Sequence, residues 1–178
     1  MHYAIENIAA LTGARRYGSR SATIDWLLTD SRSLAFAETT LFFALRTKMG
    51  DGHRYIADLY RRGVRNFVVG TVPPDHERDY PEANFLLVVS PLKALQRLAE
   101  RHREEFGLPV IGVTGSNGKT VVKEWLYQLL SPSLRVTRSP RSYNSQVGVP
   151  LSVWQLTEHS QVGIFEAGIS KPDEMQAL

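Results

Sequence analysis

Short apolar runs alternate along this chain with stretches of helical spacing. The segment Thr40 to Leu45, TLFFAL, is continuous enough in apolar and aromatic residues to predict a strand. His53 to Arg62 carries apolar residues at helical intervals and closes on Gly63, and Asn66 to Val69 is again strand-like. Together they predict a compact βαβ-like unit. Thr71 to Ala83, with Pro73, Pro74 and Pro81, has the composition of a loop, and Phe85 to Val89 predicts another strand. In Ser90 to Gly107 the residues Leu95, Leu98, Ala99 and Phe106 fall near one helical face, with Ser90 as cap, Pro91 in the first turn and Gly107 as stop. This helix is expected to join two units. Beyond it, Pro109 to Thr114 predicts a buried parallel strand, Lys119 to Leu130 an amphipathic helix stopped by Ser131-Pro132, and Leu134 to Thr137 a short strand. Gly148 to Leu156 predicts a helix entered through Pro150, and Gln161 to Phe165 a strand ending at Glu166.

Composition narrows the class without naming a function. Of 178 residues, 43% are hydrophobic and 22% charged, which fits a folded chain and not a disordered one. The absence of cysteine excludes disulfides, thiolate metal sites and a cysteine nucleophile, and fits a reducing cytoplasm. No apolar run reaches the roughly 20 residues of a membrane span. A net charge of +3, with arginines scattered along the chain, gives no indication of a nucleic-acid partner and suits anionic small substrates equally well. The fold class expected is α/β, a small amino-terminal domain over residues 1–89, a linker helix over 90–107, and part of a parallel-sheet P-loop domain over 108–178.

The segment Gly112 to Thr120, GVTGSNGKT, lies between that parallel strand and its helix. Unpaired N–H groups and the dipole at a helix start favour a phosphate there, so Gly115, Ser116, Asn117 and Gly118 are candidates to cradle one. Lys119 can reach the β and γ phosphates of ATP, and the Thr120 hydroxyl can ligate Mg2+. The general spacing G-x-x-x-x-G-K-[ST] asks for glycine where this chain has Val113, so the match is to T-G-S-N-G-K-T. A polar turn beside a solvated lysine is the alternative.

TGSNGKT resembles the phosphate loop of the Mur ligases, ATP-dependent enzymes that join amino acids or peptides to the muramoyl precursor of the bacterial cell wall. Thr29-Asp30-Ser31-Arg32 and the segment LFFALRTKMGDGH, Leu41 to His53, resemble that family's uridine-nucleotide domain. Tyr143 to Leu151, YNSQVGVPL, is similar to its asparagine-containing segment, with Asn144-Ser145 in place of an asparagine pair. Phe165-Glu166-Ala167-Gly168 resembles its strand-end glutamate, with Ala167 where the family has methionine. KTVVKEWL and the form of the first domain are most similar to members that add D-alanyl-D-alanine to UDP-N-acetylmuramoyl-tripeptide. RSYNSQVGVPLSVW resembles a form fused to an alanine racemase.

The resemblance implies amide formation through an acyl phosphate, with ATP and Mg2+ as cofactors, Lys119 catalytic, and Thr120 and Glu166 holding metal. It implies that Ser31, Arg32, His53, Asn144 and Ser145 contact substrate. Read without it, Asp30-Ser31-Arg32 is a turn, His53 is either a first-turn helix residue or a ligand contact, and Glu166 is either a solvated strand end or, at the carboxyl end of a parallel strand near the glycine loop, a ligand for Mg2+. Trp125 and Trp154 are expected to pack in the core. The family's carbamate-bearing lysine and closing carboxy-terminal domain have no counterpart in residues 1–178, so this segment alone is expected not to turn over substrate. Its ending, DEMQAL in the first turns of a helix, is expected of a truncated chain. A sister ligase adding a single amino acid, a folylpolyglutamate-type synthetase, a nucleotide-binding module without ligase chemistry and a partner-binding fragment are the alternatives.

Overall fold

The computed structural model describes residues 2–48 and 50–169. The expected helix after Ser170 lies outside the described residues. In chain order the elements are β1 (Tyr3–Ala4), α1 (Ile5–Thr12), β2 (Arg15–Tyr17), β3 (Thr23–Ile24), β4 (Trp26–Leu28), β5 (Thr40–Phe43), β6 (Arg46–Thr47), β7 (Gly50–Asp51), α2 (Ile56–Arg61) and β8 (Asn66–Val69). There follow α3 (His76–Asp79), β9 (Asn84–Leu87), α4 (Pro91–Glu104), β10 (Val110–Val113), α5 (Lys119–Leu130), β11 (Val136–Arg138), α6 (Gly148–Val153) and β12 (Val162–Glu166). Two compact units divide between Leu95 and Gln96, within α4.

In the first unit five strands lie in the order β2-β9-β8-β5-β4. The pairs β4–β5, β5–β8 and β8–β9 are parallel, and β2 closes one edge antiparallel to β9. The core is aromatic: Phe67 and Phe85 stack with centroids 5.3 Å apart, and Phe42 meets Phe67 edge-on at 6.4 Å. All three are fully buried, each removal from water contributing about 2 kcal/mol. At the start of the strands a polar chain crosses the sheet, as Arg16 donates to Asn84 Oδ1 at 2.9 Å and Asn84 Nδ2 donates to Asn66 Oδ1 at 2.9 Å. This chain fixes β2 as an edge despite its polar sequence.

The second unit is built on a parallel sheet in the order β10-β12-β11. Val113 pairs with Glu166, so β10 and β12 end side by side. Phe106, Leu156 and Phe165 form a small buried cluster, with Leu108 and Val153 against it. The α/β class and the parallel sheets agree with the sequence reading, although β10, expected to be buried, is covered fully only at Val113.

Three local expectations are corrected. The proline-rich stretch 71–83 is not all loop, because α3 forms inside it and His76 packs edge-on against Tyr17 and Phe85. The helix expected from His53 begins as a 3-10 turn, Gly52–Tyr55, and becomes α-helical at Ile56. Trp125 is 62% exposed, alongside exposed Val121, Val122 and Leu129, because helical spacing marks an apolar stripe without supplying the neighbour that covers it.

Candidate functional site

The loop between β10 and α5 turns on two glycines with left-handed backbones, Gly115 at φ 136° and Gly118 at φ 76°. Gly118 is the residue before the first turn of α5, where its carbonyl accepts from Val122 N–H at 2.9 Å. A side chain would strain that backbone. The turn leaves the first N–H groups of α5 facing the loop, the arrangement that favours a phosphate. Lys119 Nζ donates to the Gly115 carbonyl at 2.6 Å, so its ammonium lies across the loop.

Parallel register brings a carboxylate to this loop. Glu166 ends β12 opposite Val113, its own N–H donates to Ser139 Oγ at 3.1 Å, and the next residue, Ala167, donates to the Val113 carbonyl at 2.9 Å. Its Oε2 accepts from Thr120 Oγ1 at 3.1 Å. Its Oε1 lies 3.1 Å from Lys123 Nζ, an ion pair in which both side chains are 0% exposed. That contact lacks hydrogen-bond alignment, so Oε1 has a charged neighbour but no hydrogen bond. Lys123 Nζ donates instead to the carbonyl of Ser139 at 2.9 Å and to that of Arg141. Sequence reasoning missed Lys123. The available signal was its spacing of three from Thr120, which sets both on one side of α5.

Asn144 and Ser145 lie near the same loop. The Asn144 carbonyl accepts from Gly168 N–H at 2.7 Å, and Ser145 Oγ accepts from Gly148 N–H at 3.1 Å ahead of α6. Gly115, Ser116, Lys119, Asn144, Ser145 and Gly168 line a cavity of about 290 Å³. Within this unit the structure therefore gathers Lys119, the glycine loop, Asn144 and Ser145 around one space, with Thr120 and Glu166 joined beside it. Asn117, like Thr120, is exposed.

Fit to a divalent cation rests on Thr120 and Glu166. No group of three His, Asp or Glu that could hold a metal occurs among the described residues. Mg2+ does not require one, since it keeps several waters and takes one or two carboxylates together with phosphate oxygens. A hydroxyl and a carboxylate oxygen 3.1 Å apart beside a glycine turn at a helix start fit that habit.

The remaining candidates belong to the first unit. Asp30 caps a 3-10 turn, Ser31–Ser33, by accepting from Arg32 N–H at 3.0 Å, and Arg32 returns Nη2 to Asp30 Oδ2 at 2.7 Å. The Arg32 guanidinium holds the Asp30 carboxyl below its usual range while remaining 86% exposed. Ser31 is buried, and its carbonyl accepts from Arg62. His53 has both ring nitrogens engaged: Nδ1 lies 2.5 Å from Asp51 Oδ1 and Nε2 accepts from Gly70 N–H at 3.1 Å, which fixes the tautomer. The His53 backbone N–H, then its ring, hold the Asp51 carboxyl down to about 2. A cavity of about 340 Å³ opens beside His53, lined by Arg46, Arg54, Thr71, Pro73 and Tyr80 but by neither Ser31 nor Arg32.

Residues 113–178 match the Mur ligase middle domain. The chain is 32% identical over 155 residues to the UDP-N-acetylmuramoyl-tripeptide–D-alanyl-D-alanine ligase of Bacillus subtilis, a match covering 87% of this chain and 33% of that ligase. To the ligase of the same description from Treponema pallidum it is 35% identical over 181 residues, covering 97% of this chain and 39% of that one. A crystal structure of MurF from Acinetobacter baumannii superimposes on 99% of the chain with TM-score 0.89 at 26% identity, over 38% of its own length. The MurF ligase of Thermotoga maritima, solved with ADP, matches 85% of the chain and 34% of its own with TM-score 0.71 at 28% identity. The chain thus spans between a third and two fifths of these two curated relatives.

Proposed function

From a MurF-like chain that carries Mur ligase middle-domain sequence over residues 113–178, we propose the amino-terminal and middle region of an ATP-dependent ligase that joins D-alanyl-D-alanine to UDP-N-acetylmuramoyl-tripeptide. The observation that carries this reading is the cavity of about 290 Å³ in which Lys119 and Ser116 of the glycine loop face Asn144 and Ser145. One wall suits phosphate and the other offers amide and hydroxyl groups to a second reactant. Fusion to an alanine racemase gains no support from the comparisons.

The reaction transfers the γ-phosphoryl group of ATP to the terminal carboxylate of the tripeptide. The amine of D-alanyl-D-alanine then attacks the acyl carbon, and phosphate leaves. Such a transfer is accelerated mainly by alignment and by preset positive charge around the moving phosphoryl group. Lys119 exchanges its bond to the Gly115 carbonyl for β and γ phosphate oxygens, and the N–H groups at the start of α5 orient the chain of phosphates. Thr120 and Glu166 would hold Mg2+, which when bound supplies further neutralisation of phosphate charge. Asn144 and Ser145 orient the carboxylate to be phosphorylated. Ser31, Arg32 and the His53 region bind the uridine diphosphate portion in the first unit, the exposed guanidinium of Arg32 being well shaped for phosphate oxygens.

The test is phosphate release from ATP by the full-length product of this gene, with UDP-N-acetylmuramoyl-tripeptide as acceptor. Release with D-alanyl-D-alanine and not with single amino acids is expected. Release with a single amino acid would move the protein to a sister ligase, and release with none would leave only nucleotide binding.

A further inference from the structure

Lys123 is a fully buried lysine that the proposed reaction does not use. Taking an ammonium out of water costs several kcal/mol unless its neighbours compensate, so its surroundings reveal what it serves. Four oxygens surround Nζ: the carbonyls of Ser139 and Arg141, which take its hydrogen bonds, and Glu166 Oε1 and Glu124 Oε1, each at 3.1 Å. Glu124 is shared with Arg138, whose Nη2 is 3.1 Å from Oε2, and Arg138 is the main reason the Glu124 carboxyl sits below its usual range. Among the described residues Glu166 has no such second cation. One end of its carboxylate is covered by Lys123, and the other accepts from the hydroxyl of Thr120, a residue exposed at the loop.

This asymmetry has a chemical consequence. A cation cannot approach Oε1 while an ammonium stands 3.1 Å from it, so a metal reaching Glu166 from the Thr120 side meets a single carboxylate oxygen. Mg2+ takes six ligands at short range, tolerates one-oxygen carboxylates and keeps its waters. Ca2+ takes six to eight at longer range and commonly uses both oxygens of a carboxylate. We propose that Lys123 is a positioning residue that limits Glu166 to its Oε2 oxygen and thereby makes the cation site beside Thr120 select Mg2+ over Ca2+. The inference rests on the ligase reading only in taking Glu166 and Thr120 as the metal's ligands.

The experiment uses the full-length protein and reads binding, not turnover. ADP binding is followed by calorimetry while Mg2+ or Ca2+ is raised, giving a half-effective concentration for each ion in wild type, Lys123→Met and Lys123→Gln. Gln keeps a donor for the carbonyls of Ser139 and Arg141 while removing the charge over Oε1, so it guards the test against a Met variant that fails to fold. Wild type is expected to favour Mg2+, and both folded variants to shift the Ca2+-to-Mg2+ ratio toward Ca2+ by roughly tenfold, as a carboxylate with two free oxygens should. An unchanged ratio in a folded variant would overturn the inference. Loss of folding in both variants, read by melting, would overturn it too, because Lys123 would then be a structural strut. Absence of metal-dependent ADP binding in wild type would bring down the ligase reading itself, an outcome visible before any substitution is made.

Discussion

Lys119 lies across the glycine loop with Nζ 2.6 Å from the Gly115 carbonyl, a bond that a phosphate bound there as proposed would replace. If it supplies charge to the transferred group, Lys119→Ala should lower ATP-driven phosphate release by about 100-fold or more, in the range found when one preset donor is removed from a reacting oxyanion. Thermal stability should change little, since the side chain is only half-buried and makes no other hydrogen bond among the described residues. Steady-state kinetics alongside a melting curve would separate the two effects. A second residue-scale test concerns Gly148, which the Tyr143 backbone approaches so closely that an added Cβ would meet its carbonyl carbon at 2.9 Å. Gly148→Ala should therefore destabilise the second unit by about 1–3 kcal/mol, through displacement of the segment carrying Asn144 and Ser145. Denaturant unfolding checks the magnitude, and an increase in stability would contradict the packing described.

Among elements, what the sequence made legible followed from how local the cause was. Thr40–Phe43, Asn66–Val69 and Val162–Glu166 are buried strands whose apolar runs announce them, and the glycine loop is readable because every residue it needs is contiguous. By contrast, Arg15–Tyr17 carries no strand signal. It pairs with β9 because Arg16 can reach Asn84, a partner far along the chain. Helix α3 is hidden by the prolines on either side of it, and its place depends on where His76 meets Phe85. The ion pair between Lys123 and Glu166 is equally non-local, since only parallel register brings the end of β12 to α5. Helix α4 yields a pH prediction of the same non-local kind. His102 is buried against Phe106 and Trp154, its Nε2 donates to the Leu156 carbonyl at 3.0 Å, and burial pushes its pKa below the ordinary 6.5. A lowered folded pKa means that the unfolded chain binds the proton first as acidity rises. The stability contributed by neutral His102 is thus complete above pH 6.5 and is lost as pH falls from there through the folded value. Melting curves between pH 8 and pH 5 should show wild type losing stability faster than His102→Gln over that window, and parallel curves would refute it.

At the scale of the molecule, the two units are proposed to divide one reaction: the first presents the uridine nucleotide and the second the ATP. The relatives that this chain matches are longer by a factor of more than two, with 33% and 39% of their lengths covered. In the proposed reading, the glycine loop, Thr120 and Glu166 are the groups that would contact phosphate and cation, and Asn144 and Ser145 those that would meet the acceptor. Because rate depends on holding both reactants in line while binding depends on each contact separately, the segment should separate the two properties. Purified residues 1–178 should bind ADP in the presence of Mg2+, lose that binding in Lys119→Ala, and release no phosphate above background with ATP, UDP-N-acetylmuramoyl-tripeptide and D-alanyl-D-alanine together. Arg32→Ala should weaken uridine diphosphate binding and leave ADP binding as it was, because the two residues lie in different units. Phosphate release dependent on D-alanyl-D-alanine by the segment alone would show that the contacts for the amine are already present within it, and would place catalysis nearer the Asn144 and Ser145 wall of the cavity than the division proposed here allows.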